Sequence, residues 1–108
     1  MIGEIPSIPC PEPISGTAWV YIMQTADQSL YIGQARDLCE RVRKHRLGLG
    51  SKFTRDHSGP RLVYCEGPLR PEDAIKREAQ LKRWSRTKKE ALIRGQTDLL
   101  RTLSRSRD

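Results

Sequence analysis

A chain of 108 residues with 36% hydrophobic residues has room for one domain and a thin core. Twenty Lys and Arg against thirteen Asp and Glu give a formal net charge of +7, which favours a polyanionic partner, nucleic acid first, over a merely solvated basic surface. No apolar run approaches the roughly 18 residues of a membrane span, and the odd set Cys10, Cys39 and Cys65 lacks metal-ligand spacing, so it reads as reduced thiols.

The first sixteen residues, MIGEIPSIPCPEPISG, carry prolines at 6, 9, 11 and 13. They predict a flexible, extended arm. They lack the basic n-region and unbroken apolar stretch of a signal peptide, so the cytoplasm is the expected compartment. A folded domain is expected over residues 17–96.

AWVYIMQ, Ala18 to Gln24, is rich in β-branched and aromatic residues and predicts a strand. ADQS supplies a turn, and LYIG predicts a second strand ending at Gly33. That glycine reads as a structural turn residue, where a missing side chain permits a tight turn or a close approach. Asp37 is placed to cap a helix over Leu38 to Leu47, with Gly48 at its end. A polar loop, GLGSKFTRDHSG, carries Lys52 and Arg55. A third strand is expected from Arg61 to Glu66, in which Cys65, like Cys39 on the helix, reads as a small core residue. Pro71 opens a long helix to about Ser85. Thr87-Lys88-Lys89-Glu90 matches a capping box for a short helix ending at Gly95. Thr97 to Leu103 adds a turn or two, within an extension or tail over 97–108. The order β-β-α-β-α-α predicts an α+β fold, a small three-stranded antiparallel sheet flanked by helices.

Helical periodicity puts several charges in unexpected places. At about 100° per residue, Arg41 and His45 share a face that overlaps the Leu38/Val42 stripe, while Arg43 and Lys44 fall on a solvated side. Glu78 falls within the Ala74/Leu81 stripe of the long helix. A buried carboxylate must be paired, protonated or bound to a cation. Two readings follow. One is an internal Arg41–Glu78 salt bridge. The other is a cleft shared by Arg41, His45, Glu78 and the hairpin tyrosines, in which Glu78 holds a divalent metal and Arg41 grips a phosphate. Those are the parts for phosphodiester hydrolysis.

Tyr31-Ile32-Gly33 stands ten residues after Tyr21 of Trp19-Val20-Tyr21, followed by Arg41, by His45 one turn on, and by Glu78 on a later helix. This ordered set resembles the GIY-YIG nuclease family over about Ala18 to Ile93. Lys52-Phe53-Thr54 matches an element of its compact stand-alone bacterial members. Two positions depart from the pattern: Trp19 replaces the first motif's glycine, and Gln34 stands where relatives often have Thr or Lys. The resemblance implies a DNA endonuclease of repair or recombination. RNA is the other candidate substrate. Structure preference is expected, because the chain carries neither a zinc finger nor a clear helix-turn-helix. It also implies one Mg²⁺ or Mn²⁺ on Glu78, completed by water and phosphate oxygens. Arg41 would hold the scissile phosphate. Tyr31 would be the general base with Tyr21 assisting, and His45 is the rival base because an ordinary imidazole titrates near neutrality.

Plainer readings stand beside these. Tyr21 and Tyr31 could be ordinary hairpin aromatics, His45 a helix-end cation, and Trp84 a core residue rather than a base-stacking platform. Lys52, Arg55 and Lys82, with Arg61, Arg83, Arg86, Lys88 and Lys89, could line a backbone-tracking groove or simply face solvent. As a whole, the chain could be a non-catalytic nucleic-acid-binding module on the same fold. A protein-interaction domain using the proline arm is the third reading, and it leaves Arg41 and Glu78 without a role.

Overall fold

A computed structural model describes residues 5–49 and 59–105. Strand β1 (Ala18–Gln24) lies between β2 (Leu30–Ala35) and β3 (Arg61–Leu69), antiparallel to both. Helix α1 (Leu38–Arg46) follows β2, and α2 (Pro71–Lys82), α3 (Arg86–Ile93) and α4 (Thr97–Arg105) follow β3. The α+β architecture is the expected one, with the last turns grown into a nine-residue helix. Among the described residues, no helix is long and apolar enough to cross a membrane.

All seven residues of β1 are buried, which explains its unbroken apolar run: the central strand is covered on both faces. Alternation along the strand sends Val20 and Ile22 to one side, where they meet Ile32, Val63, and Ala74 and Leu81 of α2. Trp19, Tyr21 and Met23 point the other way, against Ala35, Leu62, and Leu38 and Val42 of α1. Trp84, just after α2, packs on the α2 face. Helix α1 starts as expected, with the Asp37 carboxylate accepting from the Glu40 amide at 3.1 Å, and ends with Gly48 at φ +75.

Several boundaries differ from the expectation, each for a local reason. Strand β2 continues to Ala35, so Gly33 is a mid-strand residue paired with Tyr21 and not a turn. Strand β3 runs beyond Glu66 to Leu69. Beyond Gly67 and Pro68, β1 re-engages β3 through Ala18 and Leu69 across a register shift, and the Trp19 ring lies on Gly67. Helix α2 stops at Lys82 because Ser85 begins the next helix. Its hydroxyl accepts the Lys88 amide at 3.1 Å, so the cap is Ser85, and Thr87 sits inside the first turn of α3.

Over its described residues the proline segment is docked, contrary to its reading as a flexible arm. Ile5 is 5% exposed within the core, and Ile8 packs beneath the α1 face. The Ile8 amide donates to Leu62 O at 2.9 Å, and the Arg61 guanidinium donates to Ile5 O. Cys39 is exposed rather than core, with its thiol directed at Pro11 O at 3.3 Å, while Cys10 and Cys65 are half-buried.

Candidate active site

The register between β1 and β2 sets Tyr21 opposite Gly33. The Tyr21 ring lies across that glycine: a Cβ at position 33 would fall 2.5 Å from Tyr21 Oη and 2.7 Å from Cζ. Gly33 therefore makes room for a tyrosine. Tyr31, two residues earlier, projects from the same side of the strand, and its ring centroid is 6.2 Å from that of Tyr21. Helix α1 brings in His45, whose ring is 5.2 Å from Tyr31 edge-on and 6.1 Å from Tyr21. Tyr21 Oη and His45 Nε2 are hydrogen-bonded at 3.1 Å. Tyr21 is 0% and His45 2% exposed, whereas Tyr31 is half-buried.

The electrostatics assign this bond its direction. Burial pushes the Tyr21 phenol well up, neighbouring Tyr31 adds to the effect, and the Arg41 guanidinium offsets part of it. Burial, and then Arg41, lower the His45 pKa below its ordinary value. Near neutral pH Tyr21 keeps its proton and His45 is neutral, so the phenol donates to Nε2 and we assign the imidazole proton to Nδ1. Tyr31 and the Arg41 guanidinium are the other groups that act on the Tyr21 phenol. Arg41 also walls a cleft of about 360 Å³ at the β2–α1 junction, lined by Gln34, Ala35, Arg36, Asp37, Glu40, Arg41 and Lys44.

Four of the five expected site residues thus meet on the α1 face. Glu78 does not join them. It sits on α2, over the opposite face, and its half-buried carboxylate pairs with Lys82 Nζ at 3.2 Å. The Arg41–Glu78 salt bridge is not formed, because the sheet stands between the two helices. Both helices also contact β2, an outer strand of the sheet.

The GIY-YIG catalytic domain model matches residues 17–91, a span that contains Tyr21, Tyr31, Gly33, Arg41, His45 and Glu78. The chain belongs to the GIY-YIG catalytic domain family. It is 42% identical over 76 residues to the UPF0213 protein of Staphylococcus aureus strain Mu3, covering 70% of this chain and 93% of that protein. The UPF0213 protein of strain N315 matches to the same extent. The solution NMR structure of a UPF0213 protein from Bacillus halodurans aligns with 38% identity and a TM-score of 0.47, over 71% of this chain and 82% of that one.

In this GIY-YIG domain, the donors available to a metal are sparse. Among the described residues, no three His, Cys, Asp or Glu side chains gather as a metal-holding group. A single partly exposed carboxylate such as Glu78 suits a hard ion that keeps most of its waters, Mg²⁺ or Mn²⁺, and does not suit a closed zinc site.

The expected nucleic-acid contacts divide. Lys52 and Arg55, with the Lys52-Phe53-Thr54 element, lie outside the described residues. Lys82 is engaged by Glu78. Arg61 is used internally, on Ile5 O and on Gln24 Oε1 at 2.9 Å. Lys88 is 7% exposed, with Nζ 4.2 Å from the centroid of the Trp84 ring, and Arg77 lies 5.2 Å from that ring. Arg61 and Lys88 are thus engaged within the fold, and Trp84 is a packed residue, as the plainer reading had it. The cleft residues Arg36 and Lys44 were missed. Lys44 follows Arg41 by one helical turn, and that spacing was the available signal.

Proposed function

We propose that this domain is a divalent-metal-dependent endonuclease hydrolysing phosphodiester bonds in DNA, selective for structure and serving repair or recombination in the cytoplasm. The observation that carries the reading is the buried 3.1 Å bond from Tyr21 to a neutral His45, with Arg41 and Tyr31 at its mouth. The free thiols Cys10, Cys39 and Cys65 support a reducing compartment.

Arg41 binds the scissile phosphate through its planar fork and stabilises the charge that builds on the phosphate oxygens. Tyr31, the more exposed phenol, accepts the proton of the attacking water as its own proton passes to Tyr21. The Tyr21 proton passes to His45 Nε2. The two candidate bases then stand in one relay: Tyr31 touches the water, and His45 stores the proton. A phosphate on Arg41 offsets the positive charge that depresses His45, so substrate binding raises the basicity of the final acceptor. Glu78 would hold the Mg²⁺ or Mn²⁺, which neutralises charge on the reacting phosphate when bound.

The test is cleavage of branched, flapped and single-stranded DNA with Mg²⁺ or Mn²⁺, with matched RNAs in parallel. Arg41→Ala and Glu78→Ala are each expected to reduce the rate about 100-fold or more, the scale of losing one transition-state charge partner. Cleavage that survives either substitution overturns the proposal. The position of Glu78, on the α2 side of the sheet and paired with Lys82 of the same helix, favours a second reading: a non-catalytic nucleic-acid-binding module. That reading predicts salt-sensitive binding unchanged or strengthened by Glu78→Ala, with no turnover in either metal.

A further inference from the structure

The cleft beside Arg41 has no role in the relay, yet its lining is charged and its acids are already used. Asp37 Oδ1 accepts the Glu40 amide as the helix cap. Glu40 holds Arg43 through both oxygens, at 2.6 and 3.1 Å. Among the described residues, no carboxylate forms an ion pair with Arg36, Arg41 or Lys44. Three cations and two carboxylates therefore line a space of about 360 Å³, with Asp37 capping the helix and Glu40 holding Arg43, so its net charge is positive. Gln34 lines the same cleft.

The position of the cleft gives this charge a purpose. Tyr31 and Ala35 project from β2 toward α1, so alternation sends Gln34 toward the α2 side. Gln34 and Ala35 nonetheless line one cleft, which therefore wraps the end of the outer strand. Arg41 lines it from α1, and Gln34 lines it from the end of β2. A chain lying in it leaves Arg41 and passes around β2.

We infer that the Gln34–Arg36–Lys44 cleft holds a second phosphodiester of the bound nucleic-acid strand, beside the one on Arg41, and so leads the strand around β2 toward the Glu78 side. The inference rests on the reading of nucleic acid as the substrate. Arg36 and Lys44 are positioning residues in this account. They fix the strand, and the reacting atoms lie elsewhere. The planar fork of Arg36 and the three donors of Lys44 match phosphate oxygens, and Gln34 supplies a donor without a charge.

The experiment compares Arg36→Ala/Lys44→Ala with Lys76→Ala/Arg101→Ala, a charge-matched pair on α2 and α4. DNA binding is measured by fluorescence anisotropy over a salt series, and steady-state cleavage is measured in Mn²⁺. Losing one phosphate contact should make the slope of log K against log salt shallower by about 0.7 on single strands. The cleft variant is expected to show that change, with KM raised about tenfold and kcat within about twofold. The control should show a smaller change in both, and Arg36→Lys/Lys44→Arg should restore most of the affinity. A cleft variant indistinguishable from the control overturns the inference, as does a loss confined to kcat. Binding of wild-type protein without cleavage sinks the nuclease reading alone, and the salt slope then decides the cleft. Wild-type protein that binds no DNA or RNA overturns both.

Discussion

His45 is the residue whose chemistry the fold alters most. Its folded pKa is lowered, by burial and then by Arg41, so the unfolded chain binds more protons as pH falls below the ordinary imidazole value of 6.5. The stability conferred by the neutral ring is fully present above about pH 6.5 and is lost as pH falls through the folded pKa. Urea unfolding at a series of pH values should show that decline in wild type and a flatter profile in His45→Phe. A profile unchanged by the substitution would remove the buried, neutral histidine from the account. Gly33 makes a sharper case. Gly33→Ala places a methyl against a ring that is both buried and hydrogen-bonded. It is expected to cost about 1–3 kcal/mol, the range for overpacked cores. Tyr21→Phe in the same chain removes the nearest clashing atom and should recover part of that loss in a thermal melt. The residue types at these positions were legible from the motif order. Their roles were not: a turn glycine and a clearance glycine look alike until a register pairs one with Tyr21.

At the scale of elements, the strands and α1 were legible because their signals are dense: seven buried residues in β1, and an Asp37 cap with its following stripe. Boundaries failed where two local signals competed. Thr87 and Glu90 satisfy a capping box, but Ser85 stands two residues earlier and takes the Lys88 amide. Ser85→Ala is therefore expected to cost about 1 kcal/mol in denaturant unfolding, and Thr87→Ala much less. The reverse order would return the cap to Thr87. Strand β3 likewise outran its expected end at Glu66, because a register shift lets Leu69 pair with Ala18. The placement of Glu78 was beyond any periodicity argument. A helical wheel locates it on the inward stripe of α2, but says nothing about which face of the sheet that stripe covers.

For the whole molecule, the docked N-terminal segment changes what counts as the domain. Its prolines announced an extended shape, and the spacing of Ile5 and Ile8 was the overlooked sign of attachment. Removing residues 1–10 is expected to destabilise the protein by about 2 kcal/mol, on the order of one buried aliphatic side chain, with the loss read from urea midpoints. A truncated chain as stable as wild type would restore the free arm and, with it, the reading of that segment as a partner-binding tail. The two-sided sheet also has an optical consequence. The chain contains two tryptophans, and the core separates them: Trp19 lies on the α1 face, buried, with Nε1 lacking a hydrogen-bond partner among the described residues, and Trp84 lies on the α2 face beside Arg77 and Lys88. An indole in an apolar pocket and an indole beside two cations emit differently. Single-tryptophan variants of this protein carry a built-in fluorophore for each side of the sheet, able to tell which side a ligand reaches first.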